Sequence, residues 1–280
     1  MPRPVAFDGA SGNKLRGDAF GDPNARPIIL LHGGGQTRHS WSDTASILAE
    51  DGWQVVNLDQ RGHGDSDWSK DGEYSSADYA ADLVALAPQL PARPVFVGAS
   101  LGGIAALMAE GLHEGPFAVG LVLVDVAPRI EPAGAERIME FMRSHPDGFA
   151  SLDECADAVA AYNPHRPRPK SSAGLAKNLR QGEDGRWRWH WDPGFVSIDQ
   201  RNPGPDFRVE ETARSLEIPT LLVRGRLSDL LSAEGAQEFL DMVPHAQFAD
   251  VSNAGHMVAG DNNDVFTSAI RGFLDAEIER

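Results

Sequence analysis

The chain has a single cysteine, Cys155, among 280 residues. A lone thiol rules out an internal disulfide, so the fold must stand on packing alone, and the usage fits a reducing compartment. Long apolar runs are missing too. No stretch approaches the roughly 18 apolar residues that a spanning helix needs. The opening MPRPVAFDGASGNK lacks the apolar centre of a secretory signal. Positive charge is scarce: 25 Lys and Arg face 41 Asp and Glu, a formal net charge of −16. Such a surface repels phosphate backbones and anionic headgroups, so neither nucleic acid nor a membrane is expected as a partner. The chain has no internal repeat and no low-complexity tract. A cytoplasmic location is the expectation.

What is present is a rhythm. PIILLH (27–32), QVVNLD (54–59), PVFVG (94–98), VGLVLVD (119–125), PTLLVRG (219–225) and AQFADV (246–251) are short runs rich in Val, Ile and Leu without clean alternation. That is the pattern of strands buried on both faces. Helical patterns fall between them near 41–50, 76–88, 101–112, 232–242 and 263–277. Strands alternating with helices predict an α/β fold with a parallel sheet covered on both sides. The rhythm breaks between about Pro128 and Ser215. Helical pieces near 134–145, 148–162 and 172–181 predict an inserted, mostly helical subdomain there, because so long a loop does not suit a compact domain. The expected division is a core of 1–127 and 216–280 with a cap (lid) of 128–215.

Gly98-Ala99-Ser100-Leu101-Gly102 has the form G-x-S-x-G, directly after a strand and directly before a helix. A sharp turn in that context exposes the serine hydroxyl, and the helix N-terminus behind it favours a developing negative charge. A serine needs a base. His256, in SNAGHMVAG beyond the last strand, stands out among nine histidines because open α/β sheets place their sites at strand C-termini. The imidazole in turn needs a carboxylate. Asp229, after the strand ending near Arg224, and Asp125, at the end of LVLVD, both qualify. The chain order Ser100, Asp229, His256 favours Asp229 and keeps Asp125 as the alternative.

HGGG at 32–35 follows a strand, and three glycines let backbone N–H groups approach a ligand. Gly34 and Leu101 N–H are the expected oxyanion donors. No phosphate-loop spacing follows, and no histidine or cysteine spacing suggests a metal, so neither a metal nor an organic cofactor is expected. His32 is expected to hold the loop rather than act as a base. Trp41 and the alternating Trp187, Trp189 and Trp191 are the candidate pocket residues. Period-two spacing places the last three on one face of an extended segment.

These features together resemble the α/β-hydrolase superfamily, through HGGG at 32–35, DQRGHGDS at 59–66, GASLGG at 98–103, the Asp229 region and the Gly255-His256 pair. The sequence is similar to the branch of carboxylesterases, lactonases, C–C bond hydrolases and perhydrolases. The resemblance implies an eight-stranded, mostly parallel sheet flanked by helices, with a helical cap inserted after Asp125. It also implies that DQRGHGDS is a structural turn. One spacing departs from the pattern: the acid of the family often stands three residues after a strand-end glycine, and Asp229 stands one residue later, after Gly225. The implied function is a serine hydrolase that cleaves a carboxylic ester or lactone through an acyl-enzyme on Ser100. The alternatives are a C–C bond hydrolase of a vinylogous diketone acid, with Arg186, Arg188 or Arg226 meeting its charge, and a non-catalytic ligand-binding protein on the same fold. The expected partner is a small-molecule ester, lactone or ketone.

Overall fold

A computed structural model of the chain describes residues 2–113, 115–162, 168, 171–197, 207–252 and 263–279. In chain order the elements are β1 (Arg3–Asp8), β2 (Lys14–Phe20), β3 (Pro27–Leu31), α1 (Ser42–Glu50), β4 (Gln54–Leu58), α2 (Ser76–Leu86), β5 (Val95–Ala99), α3 (Leu101–Leu112), β6 (Gly120–Val124), α4 (Pro132–Arg143), α5 (Leu152–Tyr162), β7 (Leu179–Gln181), β8 (Trp187–Trp189), α6 (Pro193–Ser197), α7 (Phe207–Arg214), β9 (Thr220–Gly225), α8 (Ala233–Met242), β10 (Gln247–Val251) and α9 (Asn263–Glu277).

Eight strands form one sheet in the order β1-β2-β4-β3-β5-β6-β9-β10. All pairs from β4 to β10 are parallel, and β1 and β2 join antiparallel at one edge. The fold is α/β, as expected. The central strands β3, β4 and β6 are buried along their whole length. Their alternate residues feed two cores. Ile29 and Leu31 pack towards Tyr79, Leu83 and Leu107 of α2 and α3. Ile28 and Leu30 pack towards Leu48 of α1 and Phe266 and Ile270 of α9.

The turn at 59–66 is built from fixed charges. Asp59 is fully buried and accepts from Arg38 N at 2.7 Å and Asp65 N at 3.0 Å. Arg61 lies in a bidentate, buried pair with Asp82 of α2, at 2.6 and 2.7 Å. Ser66 Oγ donates to Asp59 O at 2.6 Å.

Between β6 and β9 the chain forms α4, α5, a two-stranded antiparallel hairpin of β7 and β8, α6 and α7. Residues 172–181, read as helix from their spacing, are a 3-10 turn over Ala173–Asn178 followed by β7. The pairing of β7 with β8 across Leu179 and Trp189 overrides the local preference. Phe149, Cys155 and Leu179 make a small core of their own, against which Trp187 and Trp189 pack. Helix α7 lies on α3, where Thr212 meets Gly111. No helix among the described residues is long and apolar enough to cross a membrane.

Candidate active site

Ser100 sits at the corner between β5 and α3 with φ 47° and ψ −114°, outside the regions that L-residues normally occupy. Two flanking glycines allow the corner. A Cβ at Gly98 would run into the backbone of Gly102 and Gly103, and one at Gly102 would stand 2.6 Å from Leu31 Cβ. The strand, the helix and the neighbouring β3 therefore meet at backbone distance. Ser100 N donates to Val124 O at 3.1 Å, which ties the corner to the end of β6.

The glycine loop after β3 lies beside this corner. A Cβ on Gly33 would be 3.5 Å from Ser100 Cβ. Gly33 N donates to Gln36 Oε1 at 3.1 Å and Gly35 N donates to His63 Nε2 at 3.1 Å. Among the described residues, Gly34 N–H and Leu101 N–H donate to no acceptor, so the two donors named from the sequence remain available. Leu101 is the first residue of α3, where an N–H has no partner within the helix.

His32 is fully buried, with Nδ1 2.8 Å from Gly33 O and Nε2 accepting from Gln60 N at 3.1 Å. Burial pulls its pKa down to about 4. It holds the loop, as the sequence suggested. His63 is also fully buried. Burial, reinforced by the neighbouring His32, lowers its pKa to about 3. His256 lies outside the described residues.

The two carboxylates occupy different settings. Asp125 follows β6 directly, at φ 52°, and is fully buried. Its Oδ1 accepts from Gly225 N at 3.0 Å and its Oδ2 from Ser228 Oγ at 2.5 Å. Because Ala99 pairs with Val124, Asp125 and Ser100 leave adjacent strands at the same level of the sheet. Asp229 is partly exposed and pairs with Arg137 of α4 at 3.0 Å. The N-cap of α8 is Ser232, which accepts from Gly235 N at 3.1 Å, so Asp229 does not cap that helix.

The inserted segment covers the glycine loop. A Cβ on Gly34 would meet Phe195 Cζ at 3.3 Å, and one on Gly35 would meet Trp191 Cζ3 at 3.2 Å and Met142 Sδ at 3.3 Å. Met142 and Trp191 also line a groove of about 600 Å³ with Arg143, His145, Trp189 and Val196. Trp189 and Trp191 stack with centroids 4.8 Å apart. Trp187 packs on Phe149 and Cys155, away from the glycine loop. Trp41 is fully buried; its indole N–H donates to Leu31 O at 3.1 Å and its ring packs on Phe266 at 5.2 Å. The three arginines named for an anionic substrate are engaged elsewhere. Arg186 donates to Asp147 O and Gly148 O, Arg188 grips Asp184 and Arg226 pairs with Asp250.

Sequence reasoning missed two residues that join the inserted segment to the surroundings of the glycine loop, His190 and Thr37. His190 Nδ1 accepts from Gly64 N at 2.7 Å, and its Nε2 lies 3.4 Å from Gly35 O. Thr37 Oγ1 donates to Asn178 Oδ1 at 2.8 Å. Neither contact has a local sequence signal, since each joins positions more than a hundred residues apart.

A serine at a strained strand–helix corner, at the C-terminal edge of a mostly parallel eight-stranded sheet, defines the α/β-hydrolase class. A model of the alpha/beta hydrolase family matches residues 28–269, and the chain belongs to that family. It is 30% identical over 252 residues to a 3-hydroxybutyrate-oligomer hydrolase of Cupriavidus necator, covering 85% of each chain. It is 31% identical over 264 residues to the esterase Rv0045c of Mycobacterium tuberculosis, covering 90% of this chain and 84% of that one. The solved structure of that esterase superposes with a TM-score of 0.75 at 28% identity, covering 99% of this chain and 93% of that one. An alpha/beta hydrolase from Novosphingobium aromaticivorans superposes with a TM-score of 0.83 at 25% identity over 98% of both chains.

Proposed function

We propose that the chain is a serine ester hydrolase in which Ser100 is the acyl nucleophile, His256 the base and Asp125 the acid. The observation that carries the reading is the Ser100 corner beside a glycine loop whose Gly34 N–H has no acceptor among the described residues. Ser100 Oγ attacks the ester carbonyl and gives its proton to His256. The oxyanion accepts from Gly34 and Leu101 N–H, the alcohol leaves with the proton, and water then releases the acid.

Chain order favours Asp229 as the acid, whereas the geometry favours Asp125. Asp125 is buried, oriented by two donors and level with Ser100, whereas Asp229 is engaged by Arg137. The inserted segment, expected from the sequence to span 128–215, acts as the cap, with Trp191 and Trp189 facing the substrate's acyl or alcohol group. Trp41 is left out of the proposed pocket, because its indole is fully buried and bonded to Leu31 O. A small-molecule ester suits both the apolar lining and the ester-cleaving relatives.

A p-nitrophenyl ester series from acetate to decanoate tests this. Ser100→Ala is expected to abolish turnover. Asp125→Asn is expected to lower kcat by about 10⁴, as when a triad acid is neutralised. Asp229→Asn should stay near the parent. Loss at Asp229 with parent-like activity at Asp125 would return the acid to Asp229.

A further inference from the structure

Three glycines in a row have no intrinsic preference for any one backbone conformation, so an oxyanion donor among them must be aimed from outside. Three successive peptide units of this loop are each held by a different histidine. In the Gly33–Gly34 unit, the Gly33 carbonyl accepts from His32 Nδ1 at 2.8 Å and from Gln36 N at 3.1 Å. A trans peptide points its N–H opposite to its C=O, so this grip turns Gly34 N–H outward. In the Gly34–Gly35 unit, Gly35 N donates to His63 Nε2. In the Gly35–Gln36 unit, the Gly35 carbonyl faces His190 Nε2.

Tautomers follow from the partners. His190 Nδ1 accepts from Gly64 N, so its proton sits on Nε2, directed at Gly35 O. His63 accepts at Nε2 and donates from Nδ1 to Arg61 O at 2.9 Å. The rings form a chain, with centroids 5.1 Å apart between His32 and His63 and 5.7 Å between His63 and His190. His32 and His63 belong to the core, whereas His190 follows β8 in the inserted segment. Thr37, just past the loop, is tied to Asn178 of the same segment.

We propose that His190 is a positioning residue, which reaches from the cap to the Gly35 carbonyl and completes a three-histidine cradle that aims Gly34 N–H at the substrate oxyanion. The inference rests on the serine-hydrolase reading above. It makes the cap part of the oxyanion machinery rather than a cover alone: a cap that lifts takes the third grip with it. At 3.4 Å the His190 contact is the longest of the three.

Two replacements at this position separate aiming from anchorage. Gln in place of His190 keeps a donor at the Nε2 position and loses the acceptor for Gly64 N. Asn keeps that acceptor and loses the donor. The measurement is kcat and KM on a p-nitrophenyl ester for the parent, S100A, H190Q, H190N and T37V, with a thermal melt of each. H190N is expected to lower kcat about ten- to a hundredfold with KM little changed. H190Q should recover most of that loss, and T37V should lower kcat in the same direction by less. If H190N matches or exceeds H190Q, His190 only anchors the 60–66 turn and the proposal is overturned. If a position-190 variant does not fold, T37V decides: parent-like kcat there overturns the proposal. Turnover that survives S100A overturns the serine reading, and this inference with it.

Discussion

At the scale of single residues, the cost of the site is visible in Ser100. A side chain held at φ 47° is strained by about 1–3 kcal/mol. Ser100→Gly relieves that strain at an entropic cost of about 0.5–1 kcal/mol, whereas Ser100→Ala keeps the Cβ and the strain. S100G is therefore expected to be more stable than S100A by about 1 kcal/mol in urea unfolding. Equal midpoints for the two variants would mean that the corner is unstrained. This corner was legible in the sequence because G-x-S-x-G is local: Gly98 answers to the backbone of Gly102 and Gly103, although Gly102 answers to Leu31 of the neighbouring strand. The acid was less legible. Asp125 and Asp229 both follow strands, and what separates them is the company each keeps: Gly225 and Ser228 around one, Arg137 beside the other.

At the scale of elements, one of the joints between the inserted segment and the core lies at α4 and the residue before it. Arg137 reaches Asp229 at 3.0 Å and lies over the Tyr162 ring at 5.2 Å, and Glu131 N donates to Leu230 O at 2.8 Å. The Arg137–Asp229 pair is exposed enough that its loss should cost less than about 1 kcal/mol. Arg137→Ala is expected to leave the melting temperature nearly unchanged and to raise KM more than it lowers kcat. A collapse of kcat at constant KM would instead tie Arg137 to the chemistry. The parallel strands were readable because burial on both faces makes their sequences uniformly apolar. β1 and β2 were not read as individual strands, since their exposed edge carries polar residues and breaks the pattern. The helix expected over 172–181 failed because a partner strand and the aromatic core of the insert decide that stretch.

At the scale of the whole molecule, the histidine cradle couples stability to pH. Burial, the largest cause in each case, holds the pKa of His32 near about 4, that of His63 near about 3 and that of His190 well below the ordinary value. Above about pH 6.5 these rings are neutral in both folded and unfolded chains and contribute no pH dependence. Between there and about pH 4 only the unfolded chain takes up the protons, so stability falls as pH falls. Each histidine contributes up to about 1.4 kcal/mol per pH unit. Calorimetry from pH 7.5 to 5 should show a falling melting temperature, with proton uptake on unfolding of more than one per molecule. A flat profile would show that the cradle does not keep its rings neutral. Only the loop-holding role of His32 was legible in the sequence; His63 and His190 share no motif with it, and the burial that keeps the rings neutral is a property of the assembled fold.

Cys155 lies in the small core of the inserted segment with no exposed surface, and burial pushes its thiol up to about 12. The molecule thus carries its own stopwatch. A thiol reagent in excess can react only during moments when the insert's core parts, and with one sulfhydryl the reaction is a single exponential needing no engineered label. Labelling Ser100 with a fluorophosphonate should slow that clock if insert and site open together, and leave it ticking at the same rate if they breathe apart.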